Sequence, residues 1–362
     1  MTEAPMLFRD NWPQAQKDMT DWWEGTLNRA ALCVTSPRKD ISFPFSYTGW
    51  DFLHFQANPR KAIERFEDYC RATCFAGEAM PYLWLNLGPG VLAAFFTGYL
   101  KFDGEACTAW FEQPADWDKV EKYRMSEDND WWKYTRRITR LATDAAKDKY
   151  LVGMTDIGGV LDVVASFRGT QELLFDLIQE PQRVLDTCAR VSQAWDHVYD
   201  TLHSIISRGQ EGTCAWMGIW CPERWYPLQC DFSAMISPGM FEKFVLPDLQ
   251  HQAKKMDYSI YHLDGPGQLP HVDMILDVPE IHGIQWVPGS GEPQNESYKW
   301  DSLYEKILSK GKRLVLQCFN DHRHILETLE RLPTRKGVLV SACFPDEDEA
   351  KRFIDQARAL GE

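Results

Sequence analysis

The chain has 362 residues, of which 44% are hydrophobic and 13% aromatic, enough to bury a large core. Its 39 Lys and Arg residues against 53 Asp and Glu give a formal net charge of −14, which argues against nucleic acid or an anionic membrane as a general partner. The ten cysteines are scattered singly, and the sequence shows neither a secretory signal nor a long apolar run. We therefore expect a cytoplasmic protein with reduced thiols.

Apolar runs alternate with helical patterns along most of the chain. Residues 1–29 favour a helical extension that packs outside the main core. Beyond it, strand-like runs recur near residues 31, 82, 151, 214, 258, 282, 313 and 337. Strand–helix alternation favours a parallel sheet covered by helices, and eight units at this length predict one (β/α)₈ (TIM) barrel domain, with loop insertions, over residues 1–362.

The segment of residues 258–267 is the most informative, because a strand-like run ends there in His262, Asp264 and a Gly-Pro-Gly turn. Side chains two residues apart share one face of a strand, so His262 and Asp264 are expected side by side. In a barrel the carboxyl ends of all strands converge on one mouth. The residues expected there are Asn86, Asp156, Trp220, Cys221, His262, Asp264, Gln285, Trp286, Cys318 and Cys343.

These side chains suggest separate roles at the mouth. Imidazole, thiolate and carboxylate groups are the usual zinc donors, and a catalytic zinc commonly has three protein ligands and one open position. We assign catalysis to His262, Asp264 and Asp156, and substrate binding to Trp286, Gln285, Trp220 and Asn86. Simpler interpretations stay open, since Asp156 can cap a helix and a strand cysteine such as Cys318 can be an ordinary buried residue.

Three stretches resemble the uroporphyrinogen decarboxylase-like superfamily. They are residues 262–289, the Asp-Phe-Ser of residues 231–233 followed by residues 237–247, and residues 162–181. The resemblance covers about residues 150–345 and implies a (β/α)₈ barrel, in agreement with the strand count. The arginine and Gly-Arg-Tyr signature of the true decarboxylases is missing, because residues 35–40 read Thr-Ser-Pro-Arg-Lys-Asp.

The other branch of that superfamily contains corrinoid-linked methyltransferases, which bind zinc through a His-x-Cys pair and a distant Cys. His262 matches the His and Cys343 the distant Cys, whereas Asp264 stands where the family has its second ligand. The resemblance thus implies a zinc site at His262, Asp264 and Cys343. A carboxylate in place of a thiolate makes the metal a stronger Lewis acid, which favours oxygen or nitrogen substrates over thiols.

The leading hypothesis is a methyltransferase that moves a methyl group between a small O- or N-methylated substrate and a separate corrinoid protein, with a homodimer possible. The first alternative is a metal-free decarboxylase of a small aromatic or cyclic acid, with Asp156 or Asp264 as acid and His262 as base. The second alternative is a binding protein that holds a corrinoid or small ligand without turnover.

Overall fold

A computed structural model describes residues 6–39, 41 and 47–361. The predicted extension is therefore described from residue 6 onward, while residues 1–5 and Asp40 lie outside the described part. The described helices are α1 (Trp12–Glu24), α2 (Asp51–His54), α3 (Arg60–Ala72), α4 (Val91–Thr97), α5 (Trp117–Val120), α6 (Asp130–Ala146), α7 (Val160–Arg168), α8 (Thr170–Gln179), α9 (Pro181–Ile206), α10 (Pro238–Phe244), α11 (Leu246–Lys255), α12 (Val272–Leu276), α13 (Asp301–Ser309), α14 (Ile325–Arg331) and α15 (Glu347–Ala359). None of them is long and apolar enough to cross a membrane.

The strands are short and most are buried. Those described are β1 (Ala31–Pro37), β2 (Thr73–Gly77), β3 (Tyr82–Trp84), β4 (Lys101–Asp103), β5 (Thr108–Trp110), β6 (Leu151–Gly153), β7 (Thr213–Cys214), β8 (Trp220–Cys221), β9 (Trp225–Gln229), β10 (Tyr258–Asp264), β11 (Gly283–Val287), β12 (Arg313–Leu316) and β13 (Val338–Cys343). Short 3-10 turns lie at Asp231–Met235, Pro266–His271, Tyr298–Trp300 and His322–His324.

A seven-stranded sheet in the order β2-β1-β13-β12-β11-β10-β9 forms the centre of the molecule. All its neighbouring pairs are parallel except β1 with β2. A second parallel pair joins β3 and β6, and β4–β5 and β7–β8 are antiparallel pairs. The predicted α/β class is confirmed. Among the described strands, the hydrogen-bonded ladders do not join the β3–β6 pair to the sheet, so they do not close a barrel.

One predicted strand, near residue 214, differs from the observed structure. Residues 213–220 do not form one strand, because β7 and β8 are the arms of an antiparallel pair with Gly218 at positive φ between them. The strand that pairs with β10 is β9 instead. It contains Pro227, which has no N–H to donate, and the sheet tolerates it because β9 lies at its edge.

Helix α1 packs at the amino-terminal edge of the strands. Trp22 and Trp23 are fully buried, and their indole N–H groups donate to the Val338 and Trp220 carbonyls at 3.1 and 2.9 Å. Arg313, the first residue of β12, donates in return to the carbonyls of both tryptophans. The predicted helix is present, but its tryptophans belong to the main core rather than to a layer outside it.

Candidate metal and acid–base site

The carboxyl ends of β9 and β10 bring three potential metal ligands together. His262 and Asp264 lie on one face of β10, whereas Tyr261 and Leu263 are buried on the other, which confirms the alternation predicted from the sequence. Asp231 begins the 3-10 turn that follows β9. One potential ligand atom from each of Asp231, His262 and Asp264 lies within 4.8 Å of the other two. We call these residues the ligand triad.

Asp162, in the first turn of α7, fixes the position of Asp231. Its carboxylate oxygens accept the backbone N–H groups of Asp231 at 3.1 Å and Phe232 at 2.7 Å. Burial and the nearby Asp231 carboxylate raise the pKa of Asp162 to about 7. The protein around Asp231 and the charge of Asp264 raise the pKa of Asp231 to about 6, although one side of Asp231 is open to solvent.

Asp156 is a buried carboxyl group just beyond the end of β6. It accepts the backbone N–H of Gly158 at 2.9 Å, and the Tyr226 hydroxyl lies 3.5 Å from the same oxygen. Burial is the main reason that the pKa of Asp156 rises to about 7, with Asp231 and Asp162 adding to the shift. Asp156 is therefore a group that can hold or release a proton near neutral pH.

Among the described residues, His262 is held by a hydrogen bond at its Nδ1. Its Nδ1 lies 2.6 Å from Oε1 of Gln285, the residue directly opposite on β11, so Nε2 is the nitrogen left for a metal or a proton. The Trp216 ring contacts the imidazole edge to face, with ring centroids 5.1 Å apart. Burial lowers the pKa of His262, which favours the neutral imidazole that binds metals.

The site contains four carboxyl groups, those of Asp156, Asp162, Asp231 and Asp264. Within the described chain, no Lys or Arg forms an ion pair with Asp156, Asp162, Asp231 or Asp264. Buried like charges are unfavourable unless a cation or bound protons offset them. The triad therefore fits a divalent cation with nitrogen and oxygen donors, a set that suits zinc and other transition metals.

A cavity of about 280 Å³ opens beside β1, β12 and β13. All eleven of its described lining residues lack a charged or imidazole side chain, and its polar groups include Thr35, Tyr82, Gln317 and Ser341. Gln317 also donates to the main-chain carbonyl of Met217 and accepts from Gln285. The cavity wall is thus connected to His262 through two amide side chains.

The structure distributes the predicted substrate-binding residues over several places. Gln285 contacts His262, whereas the next residue, Trp286, points to the other face of β11 and packs on Trp300 with ring centroids 4.8 Å apart. Trp220 lies against Trp12 of α1. Asn86 is buried after β3, where its side-chain oxygen accepts the N–H of Gly88 at 2.9 Å. Only Gln285 is joined to the ligand triad by a hydrogen bond.

The two cysteines predicted near the mouth are outside the ligand triad. Cys343, at the end of β13, is exposed and lines the cavity. In the sheet, β11 and β12 separate β13 from β10, and within the described residues Cys343 does not join His262 and Asp264 in a group of potential ligands. Cys318 is half-buried just beyond β12, and burial raises the pKa of its thiol. A ligand role for Cys343 stays a prediction.

Sequence reasoning did not assign a role to Asp231, Asp162 or Gln317. Asp231 follows β9, a strand that the sequence pattern did not predict because it contains Pro227. Recognising this strand would have placed the Asp231 carboxylate at the mouth. Gln317 follows the apolar run of β12 at the position facing Ser341. Asp162 gave no signal, because a carboxylate in the first turn of a helix is common for reasons of helix stability alone.

Comparisons with known proteins place the fold but not the family. No family model matches the chain, and no curated protein matches it. Among solved structures, the chain is similar to a methyltransferase from Methanosarcina mazei, with a TM-score of 0.60 and 12% sequence identity over 96% of this chain and 98% of that chain. At this identity the similarity establishes a shared fold along nearly the whole chain.

Proposed function

We propose that this protein is a metal-assisted methyltransferase that moves a methyl group between a small O- or N-methylated substrate and a corrinoid carried by a separate protein. The observation that carries the proposal is the ligand triad, in which His262 uses one ring nitrogen for Gln285 and stands beside two carboxylates that form no ion pair with a Lys or Arg of the described residues. The fold shared with a methyltransferase and the resemblance to corrinoid-linked enzymes support the choice of reaction class.

In this proposal Asp231, His262 and Asp264 hold the metal, and Asp231 takes the place expected for Cys343. A bound Lewis acid would stabilise the negative charge that develops on the heteroatom as the methyl group leaves. The protein contributes orientation: Asp162 holds the Asp231 turn through two backbone N–H groups, and Gln285 holds the imidazole. Asp156, with a pKa of about 7, can protonate the released heteroatom.

The cavity favours an uncharged substrate. Its described lining residues supply hydroxyl and amide groups but no cation that could pair with a carboxylate. An O-methylated neutral molecule fits these surroundings better than an acid does. We further propose a closed (β/α)₈ barrel, in which β3 and β6 complete the ring of strands around this cavity.

One observation favours the decarboxylase as a second candidate. Asp156 and Asp162 both have a pKa of about 7, so each can act as a general acid at neutral pH without a metal. The absence of a cation among the described cavity-lining residues argues against this candidate, because a carboxylate substrate would have no partner there.

The test compares two substrates that differ mainly in charge. Zinc-loaded protein is mixed with cob(I)alamin and either methoxybenzyl alcohol or methoxybenzoate, and the loss of cob(I)alamin absorbance and the release of carbon dioxide are both followed. We expect methyl transfer from the neutral ether and none in His262→Ala. His251 on α11 is exposed, and the control variant His251→Ala should transfer the methyl group as the wild type does.

Three other outcomes would each contradict the proposal in a different way. Carbon dioxide release from the benzoate without added metal would favour the decarboxylase. Ligand binding without any turnover would favour a binding protein. Equal methyl transfer by the wild type and His262→Ala would show that the ligand triad has no part in the reaction.

A further inference from the structure

A row of hydrogen-bonded side chains runs from His262 across four neighbouring strands. On β10, His262 Nδ1 lies 2.6 Å from Oε1 of Gln285 on β11. The Gln285 amide nitrogen donates to Oε1 of Gln317, which follows β12. The Gln317 amide nitrogen donates to the main-chain carbonyl of Met217 at 3.0 Å and to Oγ of Ser341 on β13 at 2.9 Å. We call Gln285 and Gln317 the amide relay.

The direction of the amide relay follows from its last partner. A main-chain carbonyl can only accept hydrogen bonds, so the group of Gln317 that faces Met217 must be its NH₂. Its oxygen then faces Gln285, which must present its own NH₂ to Gln317 and its oxygen to His262. An amide oxygen also only accepts, so the neutral imidazole carries its hydrogen on Nδ1.

We propose that Gln285 and Gln317 are positioning residues that hold His262 as the Nδ1–H tautomer, with the Met217 carbonyl setting the direction of the row. The consequence is an unprotonated Nε2 available to a metal. Partners of this kind fix the tautomer and orientation of metal-binding histidines. The tautomer rests on the hydrogen bonds alone, whereas its role in metal binding rests on the proposed function.

The row is built into the sheet rather than resting on loops. His262 lies opposite Gln285 in the β10–β11 ladder, and Ser341 lies opposite Cys33 in the β1–β13 ladder. Gln285 is 4% exposed, so water does not compete freely for its amide. Gln317 lines the cavity, which places one end of the row at the proposed substrate site and the other at the ligand triad.

The test reads the tautomer directly. Protein with ¹⁵N-labelled histidine is freed of metal with a chelator, and the His262 ring nitrogens are identified by their loss in His262→Gln. We expect protonated Nδ1 and unprotonated Nε2 in the wild type at pH 8. Gln285→Met has nearly the same shape but no acceptor, and should show a mixture or the reverse tautomer. Gln285→Glu still accepts and should keep Nδ1–H.

Gln317→Met tests the far end of the row, and Gln252→Met, a buried glutamine on α11, is the matched control. The first should shift His262 in the same direction as Gln285→Met, and the second should leave it unchanged. Zinc affinity should fall by roughly 10- to 100-fold in Gln285→Met, as for other partners of metal-binding histidines, and recover in Gln285→Glu.

Two results overturn the inference. They are an Nε2–H tautomer in the wild type, and an unchanged tautomer in both Gln285→Met and Gln317→Met. A wild type that is Nδ1–H but does not bind zinc would leave the amide relay intact and contradict the metal site of the proposed function. The two proposals can therefore fail separately.

Discussion

The two ends of the strands in the central sheet differ in the kinds of side chain they carry. At the amino-terminal ends, Trp22 and Trp23 of α1 are fully buried, and both of their indole N–H groups donate to main-chain carbonyls. At the carboxyl ends, the carboxylates of Asp231 and Asp264 lie close together without a positive partner among the described residues. The packing of the tryptophans stabilises the fold. The two like charges destabilise it unless a bound cation offsets them. This division is the one expected of parallel α/β folds, whose sites lie at the carboxyl ends of strands.

The largest expected change in stability is at the amino-terminal ends of the strands. Trp23→Ala removes a fully buried ring and its hydrogen bond to the Trp220 carbonyl, so the free energy of unfolding should fall by about 3–5 kcal/mol. Urea unfolding measures it, with Trp110→Ala as control, because Trp110 is 54% exposed and should change stability by less than about 0.5 kcal/mol. Equal losses in both variants would show that α1 is not part of the core.

A smaller change in stability, of opposite sign, is expected at the carboxyl ends of the strands. Asp264→Asn removes one of two neighbouring like charges, so the metal-free protein should gain about 0.5–2 kcal/mol in free energy of unfolding. Zinc should reverse the order, since the wild type gains about 2.7 kcal/mol at 100 times its Kd and the variant loses that gain. The exposed Asp277→Asn is the control. If the variant is less stable than the wild type in the metal-free state, the neighbouring carboxylates do not destabilise the fold, and the difference drawn between the two ends of the strands is wrong.

The third prediction concerns the pH dependence of stability. Because burial raises the pKa of Asp156 from 3.8 to about 7, the folded chain holds a proton between those values that the unfolded chain has released. The contribution of Asp156 to stability therefore falls as pH rises from about 4 to about 7, and stays low above that. Asp156→Asn lacks this loss, so its stability relative to the wild type should increase over the same range. Parallel pH profiles of the two proteins would rule out the raised pKa.

The sequence was sufficient for the α/β class and for the pairing of His262 with Asp264, because both depend on local periodicity. The other contacts depend on which strands become neighbours. Asp231 lies near His262 because β9 pairs with β10. The proline in β9 kept that strand from being predicted. Cys343 was placed correctly at a strand end, but two strands of the sheet lie between β13 and β10. Strand order around a site is a tertiary property that single-strand patterns do not contain.

Trp286 shows the same limit on a smaller scale. Trp286 was assigned to substrate binding, but alternation along β11 places Gln285 next to His262 and Trp286 next to Trp300. The glutamine, which looked like a substrate contact, instead supports the imidazole. Period-two alternation, which places neighbouring residues on opposite faces of a strand, would have separated the two residues.

The measurement that tests the account most directly is the zinc content of the purified protein and two variants. We expect one zinc per chain in the wild type and in Cys343→Ser, and none in Asp231→Ala, because the ligand triad contains Asp231 and not Cys343. Circular dichroism and urea unfolding establish that each variant is folded. Zinc retained in Asp231→Ala and lost in Cys343→Ser would contradict the triad, and a folded wild type that binds no zinc would contradict the metal site altogether.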